Sequence, residues 1–367
     1  LNMAAIVPMA RPIWTEEMRK EAIETLDSGI WVKGPKNRLF SDTFGQYCKA
    51  SAAIPCSSGS TALYVALSLL GIGPGDEVIL PSFTFIATAT SVSLTGAKPV
   101  FADVENEFWC LCPDDTRLRI NEKTKAILGV HLFGQAYHPR IIELAKEFEL
   151  PLIEDAAQAH GTELMINGIP LKAGTLGDIG CFSFFPTKNM AVGGEGGMIT
   201  TNNVELGKRL HTIVNHGRDG SLISQELGTN LRMSEAMAAI GNIQLKYLDE
   251  WLMKRSEIAE KYLLILNQHP EIITPKVRND SKHSWHQFCI LTPNPSNILQ
   301  YFENQGISTR RIYQQPCHLH PVYKHHEQYQ ETFPVTDALS QSMVSIPVHH
   351  GLYDYEIEKV VTALSNL

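Results

Sequence analysis

An α/β fold built on a mostly parallel sheet is predicted by three features of this chain. Short β-branched and apolar runs (Glu77 to Leu80, Pro99 to Ala102, Ala126 to Val130, Pro151 to Glu154, Ile179 to Phe184, Met198 to Thr201) alternate with helical stretches. That is the pattern of βαβ units with helices on both faces of a sheet. Groups able to do chemistry, Asp155 and the segment from Ser183 to Lys188, fall just past predicted strands, on the edge where parallel sheets collect ligands. Finally, 367 residues, 44% of them hydrophobic, suffice for a large core and for two domains or one domain with an appendage.

The elements follow in order. Thr15 is a candidate N-cap, with Glu16 and Glu17 in the first turn where the helix dipole favours negative charge, and this helix should end near Ser28-Gly29. Ala53 to Thr61 reads as a small-residue loop running into the apolar helix from Ala62 to Leu70, a junction suited to an anion. The glycine cluster Gly193 to Gly197 precedes a strand instead of following one, which argues against a dinucleotide loop. From Met233 to about Leu266 the pattern predicts a long, interrupted helix. Pro270, Pro275, Pro293 and Pro295 then punctuate a separate region ending in a helix from Asp354 to Leu364. The expected division is a large domain over residues 1–248, with an N-terminal helical segment, and a smaller C-terminal α/β domain over 249–367.

Composition excludes more than it selects. A formal net charge of -8 argues against a nucleic-acid surface, while leaving room for a local basic patch that handles phosphate. No run approaches the roughly 20 apolar residues needed to span a bilayer, and the N-terminus does not read as a signal peptide. The expectation is therefore a cytoplasmic protein with neither membrane nor nucleic acid as partner. Seven cysteines are an odd number in a chain too large to need disulfides, so most should be reduced and packed. Cys110 and Cys112 lack a second pair at zinc-site spacing, and no metal is expected. The C-terminal histidines His320, His325, His326, His349 and His350 read as loop and surface residues.

The chemistry rests on two side chains. Lys188, in Phe184-Phe185-Pro186-Thr187-Lys188-Asn189, can form an imine with an aldehyde cofactor and act as a base once displaced. Asp155, at the end of an apolar run, can hold a pyridine nitrogen protonated. Those are the two groups that pyridoxal 5'-phosphate most needs. For the phosphate, the amides of Gly59 and Ser60 at a helix start and the hydroxyls of Ser183 and Ser60 offer donors. Phe85 is a candidate wall against the ring.

These motifs come in a recognisable order. Ser58-Gly59-Ser60-Thr61-Ala62-Leu63, Gly73 to Val78, Pro81-Ser82-Phe83-Thr84-Phe85, Glu154-Asp155-Ala156-Ala157-Gln158-Ala159-His160-Gly161, Phe182 to Asn189 and Asn230-Leu231-Arg232-Met233-Ser234-Glu235 resemble the DegT/DnrJ/EryC1/StrS family of sugar aminotransferases. The resemblance runs from about Val32 to Tyr323. It implies an aspartate-aminotransferase-like fold type I, with a mixed, mostly parallel seven-stranded sheet flanked by helices, in a homodimer whose active sites lie at the subunit interface. It also implies that Gln158 approaches the cofactor ring, that Ser183 binds the phosphate, and that Asn230 reaches the phosphate of the neighbouring subunit. Lysine at position 188, where related sugar dehydratases carry histidine, favours amino transfer. The implied reaction moves an amino group from L-glutamate to C3 or C4 of a nucleotide-linked keto-sugar.

Arg310 to Tyr323 resembles the family's substrate loop but departs from its usual wording at Gln315, Cys317 and His320. Tyr313 and His318 are candidates to touch the sugar, and Arg310 or Arg311 to meet the nucleotide diphosphate. Two other readings share the cofactor: a regulatory protein that binds it without turnover, and a sugar-modifying lyase on the same fold. Intact Lys188, Asp155 and Ser183 argue against the first, and cysteine placement supplies no group for the second.

Overall fold

The computed structural model describes residues 6–367. In chain order it contains α1 (Glu16–Asp27), α2 (Pro35–Cys48), β1 (Ala52–Cys56), α3 (Gly59–Leu69), β2 (Glu77–Pro81), α4 (Ile86–Leu94), β3 (Lys98–Ala102), α5 (Pro113–Arg119), β4 (Thr124–Val130), α6 (Arg140–Glu147), β5 (Leu152–Asp155), β6 (Glu163–Ile166), β7 (Ile169–Lys172), β8 (Ile179–Ser183), β9 (Gly197–Thr201), α7 (Val204–Ile213) and α8 (Glu235–Leu266). After α8 come β10 (Ser281–Lys282), β11 (Phe288–Leu291), α9 (Pro295–Asn304), β12 (Arg310–Arg311), α10 (Pro334–Ser342), β13 (Met343–Ile346) and α11 (Asp354–Ser365).

Seven strands form the main sheet in the order β1-β9-β8-β5-β4-β2-β3. The run from β8 to β3 is parallel, and β9 and β1 close the other edge antiparallel. Every strand expected from the apolar runs is present. The reason is burial on both faces, since β2, β8 and β9 have no exposed residue, and such strands read as continuous apolar runs. Thr15 caps α1 as expected, its Oγ1 accepting from the Met18 amide at 3.2 Å, and Gly29 leaves the helix end with φ 73°.

Two expectations are corrected. Ala53 to Cys56, read as the start of a loop, belong to strand β1, paired with β9 across Ile54↔Ile199. Pro55 hid it, because proline lacks a ladder donor and is tolerated only at a sheet edge. The long helix is uninterrupted. Ser234 Oγ accepts from the Met237 amide at 3.3 Å, and α8 then runs 32 residues without a break.

Helix α8 joins two apolar cores. Its first half packs Ala238, Ile240 and Leu248 with Phe40, Phe44, Phe182 and Phe184, the Phe44 and Phe184 rings meeting edge to face at 5.5 Å. Beyond Leu252 it changes company, and Ile258, Tyr262 and Leu266 share a core with Phe288, Ile290, Ile346 and Val360 beneath the antiparallel sheet β11-β13-β12. The chain after β12 returns to a third core, built on Val78, Ile79, Leu128 and Ile153 of the main sheet, through Cys317, Tyr323, Phe333 and Leu339. This return carries Tyr313 back to the main sheet's carboxyl edge. All seven cysteines are free, and six are buried. No helix among the described residues is long and apolar enough to cross a membrane.

Candidate functional site

Strands β5 and β8 are parallel neighbours, and each ends in a polar residue on the same edge, Asp155 and Ser183. Period-two alternation along β5 separates two adjacent acids. Glu154 faces inward as a structural anchor, accepting from the amides of Gly174, Leu176 and Gly177 at 2.7–2.8 Å and bonded to His131 Nε2 at 2.8 Å. Asp155 turns to the other side. Its Oδ2 accepts from Thr88 Oγ1 at 2.8 Å and its Oδ1 from the Ala157 amide at 3.1 Å. Burial pushes its carboxyl above the usual range, while those two donors and the Lys188 charge pull it back.

Lys188 lies in the turn after β8, its amide donating to the Phe185 carbonyl at 2.8 Å. Its neighbours hold that turn: Asn189 Nδ2 donates to the Ser284 carbonyl at 2.9 Å, and the Ala191 amide to Gln244 Oε1 on α8 at 2.6 Å. The glycines that follow let α8 come close, for a Cβ on Gly193 or Gly194 would lie 2.8 Å from Ile240 or Met237. Burial lowers the pKa of the Lys188 amine to about 8; Asp155 opposes the shift and Arg310 adds to it. A lysine so placed is far more available as a nucleophile near neutral pH than an exposed one.

The phosphate candidates converge. Ser183, Gly197 and Cys56 form one row across β8, β9 and β1, so the start of α3 sits beside the end of β8. A Cβ on Gly59 would lie 2.6 Å from the Ser183 Cβ. Only glycine permits that approach. Ser58 caps α3, accepting from the Thr61 amide at 3.1 Å, which leaves the Gly59 and Ser60 amides in the first turn without intrahelical acceptors. Ser60 itself is exposed. Phe85 stands 57% exposed at the start of α4, the helix that carries Thr88.

Gln158 bridges the two parts of the site. Its Oε1 accepts from the Phe133 amide at 2.7 Å, and its Nε2 donates to the Tyr313 hydroxyl at 3.0 Å. The Tyr313 ring lies nearly parallel to Phe133 and edge-on to Phe83. Thr88 and the tie between Gln158 and Tyr313 were not legible in sequence, because each joins residues distant along the chain.

Other candidates fare differently. His318 is fully buried, bonded through Nδ1 to Ser82 Oγ and set against the Phe333 ring, so it presents no surface to a sugar. Arg311 donates to the carbonyls of Met343 and Ser340 at 3.1 and 2.7 Å and is a structural brace. Arg310 is exposed and acts on the charge of Lys188. Asn230 is exposed, its backbone paired with Asn215. The surface reading of the C-terminal histidines fails for two of them: His349 is buried and bonded to the Pro8 carbonyl at 2.9 Å, and His350 stacks on Trp251 at 4.2 Å.

A lysine amine with a depressed pKa, a buried carboxylate on the same edge and a glycine-cleared helix start together fit pyridoxal 5'-phosphate. Comparison with known proteins agrees. The chain is 36% identical over 357 residues to dTDP-3-amino-3,4,6-trideoxy-alpha-D-glucose transaminase of Streptomyces venezuelae, covering 95% of this chain and 92% of that one. It is 35% identical to a pleiotropic regulatory protein of Geobacillus stearothermophilus, covering 94% and 95%. The crystal structure of S. venezuelae DesV in complex with a ketimine intermediate superposes with a TM-score of 0.92 at 34% identity, covering 95% of this chain and 94% of that one. The model of the DegT/DnrJ/EryC1/StrS aminotransferase family matches residues 12–365, and the chain belongs to that family.

Proposed function

We propose that this pyridoxal phosphate-dependent sugar aminotransferase moves an amino group from L-glutamate to C3 or C4 of a nucleotide-linked keto-sugar. The observation that carries the reading is the placement of Lys188 and Asp155 on one sheet edge beside the Gly59 and Ser183 cradle. When bound, the cofactor supplies an electron sink for the pair left behind as a proton leaves the amino-bearing carbon.

The chain's own residues do the rest. Asp155 would meet the ring nitrogen with its carboxylate, which Thr88 and the Ala157 amide hold in place. The amides of Gly59 and Ser60 and the Ser183 hydroxyl take the phosphate at the positive end of α3. Phe85 and Gln158 bound the ring. Nζ of Lys188 would hold the cofactor covalently and, when free, would hold and return the migrating proton, for which a pKa near 8 is well matched. Tyr313, tied to Gln158, stands where substrate enters.

We further infer a homodimer in which Asn230 completes the neighbouring subunit's phosphate site, and two domains that meet within α8, where the core changes between Leu252 and Ile258. A regulatory reading finds support in the name of the Geobacillus stearothermophilus relative, but an amine tuned for chemistry serves turnover. The test is direct. Holoenzyme given L-glutamate and a panel of dTDP-, UDP- and GDP-linked keto-sugars should yield 2-oxoglutarate and an amino sugar detectable by mass spectrometry. Absence of product from every donor and acceptor would overturn the reading.

A further inference from the structure

The small sheet turns one face towards the main sheet. Cys289, Ser345 and Arg310 oppose one another across β11, β13 and β12, and residues opposed in an antiparallel ladder share a face. Cys289, Met343 two residues before Ser345, and Ile312 two residues after Arg310 all pack in the core built on the main sheet. The alternate residues Phe288, Ile290, Val344 and Ile346 pack with α8 and α11 instead. Arg310 therefore issues from the face turned to the main sheet, and its charge reaches the Lys188 amine.

The chain on either side of this arginine is braced. Arg311 donates to the carbonyls of Met343 and Ser340, and Tyr313 meets Gln158 and stacks on Phe133. Arg310 itself is exposed, and among the described residues no carboxylate lies within ion-pair distance of it. The carboxylate of the site is engaged by other groups, since Asp155 accepts from Thr88 and from the Ala157 amide. His286 is kept neutral, first by burial and then by the Lys188 charge, with Arg310 adding to the effect. An uncompensated guanidinium on a rigid support attracts an anion with little further ordering.

Two anions approach Lys188 in the proposed reaction, and their chemistry separates them. The diphosphate of a nucleotide-linked sugar is fixed to the anomeric carbon, so the sugar ring holds it away from C3 or C4. A carboxylate of L-glutamate is bonded directly to the amino-bearing carbon, which must come to the Lys188 nitrogen. A fixed cation beside that nitrogen suits the second. We propose that Arg310 anchors the amino donor by its carboxylate, which its guanidinium fork can meet in bidentate fashion. This rests on the glutamate-to-sugar reading above, and it replaces the diphosphate role that sequence reasoning offered to Arg310.

The experiment follows the visible absorbance of the cofactor-loaded protein as L-glutamate is added, with glutarate as an unreactive competitor. In Arg310→Ala, the L-glutamate concentration for half-maximal conversion and the inhibition constant of glutarate should each rise by roughly tenfold or more, the scale of one lost charge-assisted contact. Arg310→Lys, which keeps the charge, should recover part of the loss. Both variants should melt like wild type and bind dTDP, UDP and GDP as wild type does. Unchanged dependence on L-glutamate and glutarate in Arg310→Ala, or weakened diphosphate binding with glutarate inhibition intact, would overturn the assignment alone. A wild type that L-glutamate does not convert would overturn it together with glutamate as the donor.

Discussion

The Thr88 hydroxyl donates to Asp155 Oδ2 at 2.8 Å, tying the helix that presents Phe85 to the carboxylate at the end of β5. The bond favours the charged form of a group that burial pushes towards neutrality. Thr88→Val should therefore raise the Asp155 pKa and lower kcat by a few-fold. Asp155→Asn, which abolishes the charge, should cost about 100-fold or more, the range for loss of a preorganised electrostatic partner. Steady-state rates of the two variants, with cofactor occupancy checked by absorbance, decide the order.

Gly59→Ala tests the cradle. A methyl 2.6 Å from the Ser183 Cβ must push α3 away from β8 and disturb the amides that meet the phosphate. Affinity for pyridoxal 5'-phosphate should fall by about tenfold or more with most of the fold retained, while Ser60→Ala, at an exposed position, should cost much less. Fluorescence titration of the cofactor-free variants would show the difference.

The Lys188 pKa gives two pH effects with defined signs. In cofactor-free protein, reductive labelling of Lys188 should reach half its maximum near pH 8. Asp155 raises this pKa and Arg310 lowers it, so Asp155→Asn should move the midpoint down and Arg310→Ala should move it up. For stability, folded and unfolded chains both hold the proton below pH 8, where the buried ammonium is penalised. Between about 8 and the ordinary 10.5 the folded chain has released a proton that the unfolded chain keeps, so stability should rise with pH across that window. Lys188→Met should flatten that rise in a series of melting curves.

Arg255 is buried in α8 with no carboxylate partner among the described residues, donating to the carbonyls of Trp285 and Val348 at 2.9 and 2.8 Å, and burial lowers its pKa to about 9. Arg255→Met would strand those carbonyls near the point where α8 changes cores. A loss of roughly 3 kcal/mol is expected, seen as a lower melting temperature of the cofactor-loaded protein.

The sequence was legible where local pattern and burial agree. The strands ending at Asp155 and Ser183 are apolar because both faces are covered, and Lys188 and Gly59 stand in motifs whose spacing survives without knowledge of the fold. Strand β1 was hidden because Pro55 speaks against a strand everywhere except an edge. His318 and Arg311 looked like substrate ligands because histidine and arginine are polar by type; their partners, Ser82 and the carbonyls of Ser340 and Met343, are set by tertiary packing.

The central claim is that Lys188 holds pyridoxal 5'-phosphate and passes an amino group through it. The most direct test is the absorption spectrum of the reconstituted protein, before and after L-glutamate, beside that of Lys188→Ala. The account predicts a visible band in wild type that L-glutamate shifts to the near-ultraviolet, and its loss or alteration in the variant. A reconstituted wild type without that band, or a Lys188→Ala protein that keeps both band and shift, would contradict it.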